Sequence, residues 1–297
     1  MAVAIEEKRS APGLGIALRT RSWAWLGVVP FFLYVTVFLL IPTLGIVVNA
    51  FHSNSGGFTL HYVQRAVNAQ YLSDFETSLR ISVISALSSG VIGVLVAYAA
   101  VKEGSPRWIR ALISTFSGVA ANFAGVPLAF AFIATIGPAG MMTTFLSNHN
   151  LSVNDTFITT SWGLILTYTY FQLPLTILII SPALDGLRKE WREAATNLGC
   201  STPQFWRWIG IPILAPSLLG ALVLLFGSSF SAYATAAALT NGTIGLVPID
   251  IANILNGNFA TEDQQLGSAL ALGMIVVIGL SMVLYAIAQR QSSRWLR

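Results

Sequence analysis

Charge is scarce in this chain. Only 9% of its 297 residues are Asp, Glu, Lys or Arg, against about 25% in an ordinary soluble domain. That is too little to cover a water-facing surface. With 55% hydrophobic residues and a mean hydropathy of +0.70, the composition excludes a soluble globular protein and indicates an integral membrane one. Cysteine is nearly absent: Cys200 stands alone, which excludes an internal disulfide framework and any cysteine-rich metal site. The three histidines, His52, His61 and His149, are scattered without ligand spacing and read as loop residues. No Gly-rich phosphate loop appears, so nucleotide hydrolysis is not expected here.

What is present is a set of long apolar runs. A helix crossing ~30 Å of hydrocarbon needs about 20 apolar residues. Six stretches meet that: 25–50, 81–101, 111–136, 157–184, 211–239 and 266–289. Lipid offers no partner for exposed backbone groups, so each is predicted helical and the fold class is all-α, a polytopic membrane protein with six transmembrane helices. The run at 25–50 is too long for a signal-peptide core, and no small-residue cleavage site follows it, so it is read as a retained helix. The stretch at 211–239 is the least regular, because Gly227-Ser228-Ser229 and a run of alanines lower its hydropathy midway.

The formal charge of +4 does not mark a nucleic-acid site, because the basic residues are spread through short connections. Their distribution sets topology instead. Lys8, Arg9, Arg19, Arg21, then Lys102, Arg107, Arg110, then Arg188, Lys189, Arg192, Arg207, and finally Arg290, Arg294 and Arg297 fall on one side. Only Arg65 and Arg80 fall on the other. Both termini and the 185–210 loop are therefore expected in the cytoplasm. Residues 1–22 read as a cytoplasmic tail and 23–297 as one six-helix domain. On the outer side, the partly amphipathic run 62–72 predicts a short surface helix, and 241–265 is rich in Gly, Asn and Pro with Asp250, Glu262 and Asp263.

The cytoplasmic loop carries the densest pattern. Residues 187–198 predict a helix with Leu187, Trp191, Ala194, Ala195 and Leu198 near one face. Gly199 suits the left-handed position that ends a helix. Thr202 is read as the N-cap of a second helix, with Pro203 at its first position and Gln204 as a capping contact. That short helix is predicted to run to about Ile209, with Pro212 marking entry into the next span. Such a helix–glycine–helix elbow suits force transmission: small side chains at Ala194 and Ala195 permit close approach, and Glu193 offers a charged acceptor.

Glu193-Ala194-Ala195, three residues, Gly199, nine residues, then Ile209-x-Ile211-Pro212 resembles the EAA loop of the permease subunits of binding-protein-dependent type I ABC importers. The family pattern has leucine where Ile211 stands. The approach to the second span, Phe58-Thr59-Leu60 and then Ser78-Leu79-Arg80-Ile81-Ser82, resembles the family's entry into its core. Ser231-Ala232-Tyr233-Ala234-Thr235 and Ala238-Leu239-Thr240-Asn241-Gly242 resemble a segment of the spermidine/putrescine-type subgroup, with Ala236 in place of a proline. That subgroup is grouped with permeases for ferric iron, sulfate and phosphonates. The resemblance implies a MetI-like fold in a bacterial cytoplasmic membrane. It also implies two separate ATPase subunits carrying ATP and magnesium, a second and different permease chain, and an extracytoplasmic substrate-binding protein. No cofactor is implied in this chain, and no nucleic acid. ATPase coupling carries over to Glu193, Ala194, Ala195 and Gly199, with Ile209 and Pro212 as support. The cargo reads as a small polar solute such as a polyamine, iron or phosphonate, with sugar or glycerol-phosphate uptake as the alternative.

Two rival classes fit less well. An ion-coupled secondary transporter usually carries ionisable groups inside its spans, and the six stretches have none in their interiors. A membrane enzyme would want a nucleophile with a base or paired carboxylates, whereas Asp185, Glu190 and Glu193 sit among Arg188, Lys189 and Arg192 like a solvated helix face. Polar and aromatic residues within the stretches, Asn122, Tyr168, Tyr170, Gln172, Ser228, Ser229 and Tyr233, are the candidates for a substrate path. Each is equally explained as helix packing or as an interfacial aromatic. Pro127, Pro174 and Pro182 are expected to kink or end helices.

Overall fold

A computed structural model describes residues 27–53, 57–102, 106–149, 156–257 and 264–294. The tail at 1–22 and the pair Glu262-Asp263 lie outside these. Among the described residues there is no strand beyond an isolated bridge between His52 and Phe58, and six helices are long and apolar enough to span a membrane. In chain order the helices are α1 (Gly27–Ala50), α2 (His61–Ala66) and α3 (Ala69–Val101). Then come α4 (Arg107–Ala120), α5 (Val126–Ile136), α6 (Met141–Asn148) and α7 (Ser161–Asp185). The remainder are α8 (Lys189–Asn197), α9 (Thr202–Phe230), α10 (Ala234–Thr240), α11 (Val247–Leu255) and α12 (Gln264–Arg294).

The centre of the bundle is α3 packed on α7 and α9. Ser82, Ser85, Ala86, Ser89, Gly93, Ala97 and Ala100 recur every three or four residues of α3 and are all buried. In lipid, no hydrophobic force drives helices together, and small residues let backbones approach. A Cβ on Gly93 would lie 2.6 Å from Cβ of Thr176 on α7, and one on Gly90 would lie 2.8 Å from Cδ2 of Leu222 on α9. The serine hydroxyls in this dry face bond to carbonyls of their own helix, as Ser82 does to Ser78 O at 2.7 Å. Outside this centre, α12 packs against α1, α2, α9 and α11. Helix α1 presents Phe31, Phe32, Leu33 and Phe38 outward, each more than half exposed, as suits contact with lipid or another membrane chain.

Outside the elbow, the structure departs from the sequence expectation in four places. Helix α3 begins at Ala69, well before 81, with Asn68 capping it by accepting from the Ala69 N–H at 2.8 Å. At about 50 Å its 33 residues exceed the hydrocarbon thickness, so its first turns project beyond the span. The outer run 62–72 is not one helix: α2 ends at Ala66 and α3 starts within it. The stretch 111–136 is not one helix either, because Gly125 has φ +76 and Pro127 occupies the first turn of α5, where a missing N–H does no harm. The stretch 211–239 is broken at Ser231–Tyr233, although no Gly or Pro stands there. Gly227-Ser228-Ser229, the expected weak point, remains helical.

Two widened π turns, Thr36–Leu40 and Trp206–Gly210, lie inside α1 and α9, and each is followed by an Ile-Pro pair, Ile41-Pro42 and Ile211-Pro212. Proline cannot donate to the carbonyl four residues back and its ring crowds it. One wider turn just before each proline lets the helix continue. Pro174 and Pro182 are carried within α7.

Candidate functional site: an elbow at one end and interrupted helices within

Helix α8 ends in a Schellman turn. The Cys200 N–H donates to Ala195 O at 2.9 Å and the Gly199 N–H to Thr196 O at 2.9 Å, with Gly199 at φ +80. This is the 6→1 and 5→2 pairing that satisfies the last carbonyls of a helix. Ser201, not Thr202, then caps the next helix: its N–H donates to Gln204 Oε1 at 2.7 Å and its hydroxyl to the same oxygen at 2.8 Å. The expected cap is displaced by one residue, which puts Pro203 second in the helix. No separate short helix ends near Ile209; α9 runs on through the π turn.

Both arms are anchored. On α8, Ala195 is buried while Glu193 and Ala194 are exposed. Leu198 is 87% exposed, so it does not share the inward face with Ala195 as the helical pattern suggested. On α9, Phe205 is buried and the Trp206 ring meets Tyr98 of α3 edge to face, with centroids 5.1 Å apart at 90°. Gly210 makes room for that ring, since a Cβ there would lie 2.6 Å from Trp206 Cε3. Ile209 is half-buried and Pro212 exposed. Arg110 of α4 is paired with Asp185 at the end of α7, which ties the neighbouring helix ends together. The elbow is thus rigidly joined to the bundle on one side and presents Glu193, Ala194, Leu198 and Trp208 on the other.

The candidate path residues separate into two groups. Gln172 and Ser229 are buried and bonded: Gln172 Nε2 donates to Ser229 Oγ at 2.7 Å, and Gln172 Oε1 accepts from Ser89 Oγ at 2.7 Å. Ser85 adds a longer contact to Ser229 at 3.4 Å. Together these side chains join α3, α7 and α9 inside the chain's own bundle. Tyr168 is also buried, and its hydroxyl donates to Ala232 O at 2.8 Å. That carbonyl belongs to the break between α9 and α10, so the tyrosine supplies the partner that helix would otherwise have provided. Burial pushes the ordinary reading of these three toward packing.

Asn122, Tyr170, Ser228 and Tyr233 are exposed or half-exposed. Asn122 lies in the break before α5, where its amide donates to Gly118 O at 3.0 Å, and Tyr233 lies in the break after α9. The two breaks are brought together: Thr235 Oγ1 donates to Gly125 O at 3.3 Å, and α10 packs on α5. Tyr170 stands close by against Phe132 of α5, ring centroids 5.3 Å apart. Non-helical backbone inside a membrane segment is tolerated where it is buried in protein or lines a wet cavity. Among the described residues no three His, Cys, Asp or Glu side chains gather as a metal site.

Several contributors were not anticipated from sequence. Tyr98 and Trp206 act through a contact between distant segments that no local pattern encodes, and Gly210 leaves room for the Trp206 ring one turn away. Ser85 and Ser89 did leave a signal, the spacing of small residues along α3. A further pair, Asp74 and Asp250, comes together on the outer side, where their carboxyls share a hydrogen bond. Burial, then the neighbouring Asp74 charge, raises the Asp250 carboxyl to about 7.

Comparison with known proteins agrees with this geometry. The family model described as "binding-protein-dependent transport system inner membrane component" matches residues 89–297. The chain is 25% identical over 268 residues to a protein of Nephroselmis olivacea named a probable sulfate transport system permease protein, covering 90% of this chain and 88% of that one. It is 23% identical over 256 residues to the spermidine/putrescine transport system permease protein of Escherichia coli, covering 83% and 89%. The fold matches that of a chain in the crystal structure of a bacterial alginate ABC transporter in complex with an alginate pentasaccharide-bound periplasmic protein. That match has a TM-score of 0.72 at 19% identity, over 95% of this chain and 97% of the other. A six-span helical bundle, a glycine-hinged elbow at one end and a family match over most of the chain converge: this protein belongs to the inner-membrane permease components of binding-protein-dependent ABC importers.

Proposed function

We propose that this permease forms one half of a translocation path in a bacterial cytoplasmic membrane, worked by two separate ATPase subunits, one of which seats on the Glu193–Gly199 elbow. The observation that carries this is the elbow itself. A Schellman turn at Gly199 and a capping box between Ser201 and Gln204 hold two helices at a set angle, with an exposed outer face and an inner face locked to Tyr98. Closure of the ATPases on ATP and magnesium would push α8, and the Trp206–Tyr98 contact would pass that displacement to α3. The chain does no chemistry of its own; nucleotide and metal belong to the partners. Residues 1–22 are its cytoplasmic tail and both termini lie inside, in keeping with the basic residues.

The path is assigned to the surface where the two helix breaks meet, with Asn122, Tyr170, Ser228 and Tyr233 facing it and a second, different permease chain closing the other side. None of these four is charged. The two relatives described above are named for solutes of opposite sign, sulfate and spermidine/putrescine, at similar identity. A neutral path of this kind passes what an extracytoplasmic binding protein delivers, so the substrate class is a small polar solute chosen mainly by that protein. Sulfate, a polyamine, iron and a phosphonate all fall within it.

The test is to purify the tagged chain from native membranes in mild detergent and identify its companions by mass spectrometry. Recovery of an ATPase chain and a second permease is expected, with the ATPase lost in Gly199→Leu. Reproducible recovery of this chain alone, even after crosslinking, would overturn the assignment. Uptake of labelled sulfate and labelled spermidine by cells carrying or lacking the gene then separates the substrate classes.

A further inference from the structure

Beneath the elbow, on the side assigned to the cytoplasm, lies a cavity of about 260 Å³. Its polar wall is drawn from three separate segments: Lys102 after α3, Arg110 of α4, and Arg188, Lys189 and Arg192 at the start of α8, with Asp185 as the one carboxylate. That carboxylate is already engaged by Arg110. Glu190 and Glu193 of α8 are exposed and are not part of the wall. The excess of positive charge is reinforced by the start of α8. The lining includes Arg188 and Lys189 at the N-terminus of α8, so the positive dipole end of that helix adds to the same field.

The rest of the lining is apolar: Tyr98, Val101, Leu184, Leu187, Phe205 and Trp206. A cavity that joins basic side chains to aromatic and aliphatic ones, at the ends of membrane helices, matches an amphiphile better than a free ion. Topology selection explains why basic residues occur on this side. It does not explain why residues from three segments surround one cavity.

We propose that this cavity binds a phosphate-bearing anion, supplied by the head group of an anionic phospholipid of the cytoplasmic leaflet. Its volume accommodates a head group and not a whole lipid, whose chains would leave along the exposed sides of α3 and α4. A bound head group would brace α8 against α3 and α4 and so stiffen the elbow. The inference rests on the cytoplasmic orientation of this end but not on the identity of any ATPase partner.

The experiment is native mass spectrometry of the permease, purified with its partner chains and reconstituted in nanodiscs of phosphatidylcholine with or without phosphatidylglycerol. Wild type is expected to retain phosphatidylglycerol selectively. Each Lys or Arg near an anionic leaflet is worth about fivefold in binding, so Lys102→Gln with Arg192→Gln should lower retention about thirtyfold. The charge-conserving pair Lys102→Arg with Arg192→Lys should retain the lipid, which separates lost charge from lost folding. Equal retention by wild type and the neutral variant overturns the proposal. So does a neutral variant that keeps its lipid but loses a partner chain, since the cluster would then be a protein-docking surface. Saturable binding of inorganic phosphate without retained lipid would keep the anion site and overturn the lipid as its source.

Discussion

Gln172 on α7 donates to Ser229 on α9 at 2.7 Å while accepting from Ser89 on α3 at the same distance, and Gln172 has no exposed surface. One amide therefore joins the three central helices. Replacing it with leucine leaves no hydroxyl stranded, because Ser229 also bonds Leu225 O at 2.9 Å and Ser89 bonds Ala86 O at 3.1 Å. The loss for Gln172→Leu should be about 1 kcal/mol, typical of an interhelical hydrogen bond in lipid, and readable by denaturant unfolding in detergent. Gly93→Leu should be far worse, because its Cβ would already press on Thr176 at 2.6 Å. Equal losses would mean that the amide, not close approach, holds α3 to α7.

Gly199 is needed for its backbone and not for space. Its φ is +80, and nothing lies within 4 Å of where a Cβ would be. Gly199→Leu should insert normally and fold with a local penalty of ~1–2 kcal/mol, yet abolish uptake by turning the elbow. Gly199→Asn, which tolerates the left-handed region, should keep most uptake. If both variants fail equally, close approach of a partner matters more than the turn.

Among the described residues, the Trp206–Tyr98 contact is the one place where the elbow grips α3 with aromatic rings. An edge-to-face pair contributes about 1 kcal/mol beyond its burial, too little to unfold the bundle. Trp206→Ala should leave partner chains bound while uptake falls and ATP hydrolysis continues. Retained uptake would remove this contact from the coupling route.

Asp250 gives a pH dependence whose sign can be worked out. Its carboxyl is raised to about 7 in the folded protein, so the folded state holds a proton that the unfolded chain releases near the ordinary carboxylate range. Stability contributed by this group is present at low pH, declines as pH rises toward 7, and is flat above it. Asp250→Asn, which keeps the hydrogen bond to Asp74 without ionising, should remove that slope. Thermal unfolding of both proteins between pH 5 and 8, about the window set by these values, is the check; parallel curves would show that Asp250 does not titrate there. Gly245→Ala should disturb the same contact, because its Cβ would fall on Asp74 Oδ1.

Accessibility separates path from packing. In a Cys200→Ser background, single cysteines at Asn122 and Tyr233 should react with a water-soluble thiol reagent when the importer is assembled in membranes. Cysteines at Gln172 and Ser229 should not. Labelling at Gln172 would move the path into the interior of this chain.

The extent to which this was legible in the sequence follows from the range of each interaction. Six spans, an all-helical fold and the elbow were readable because hydropathy, basic-residue bias and a helix-ending glycine act locally or along one element. Gly199 was found because a left-handed turn demands it within a few residues. The sequence offers Thr202 as N-cap and the structure uses Ser201, since either hydroxyl can cap and the choice depends on how Gln204 folds back. The break at Ser231–Tyr233 carried no proline or glycine to announce it. It is held by Tyr168 from another helix, which satisfies the carbonyl of Ala232.

By itself, then, the sequence determined that the chain lives in a membrane, how many times it crosses, and that the loop between its fourth and fifth spans turns at Gly199. These follow from the cost of placing charge and unpaired backbone in lipid, which every residue meets alone. Only the tertiary structure decided which polar residues face inward and which face outward. It also decided that two helix breaks meet and that five basic side chains surround one cavity. Those outcomes depend on which helices approach each other, and that is set by small residues such as Gly90 and Gly93 meeting partners on α9 and α7.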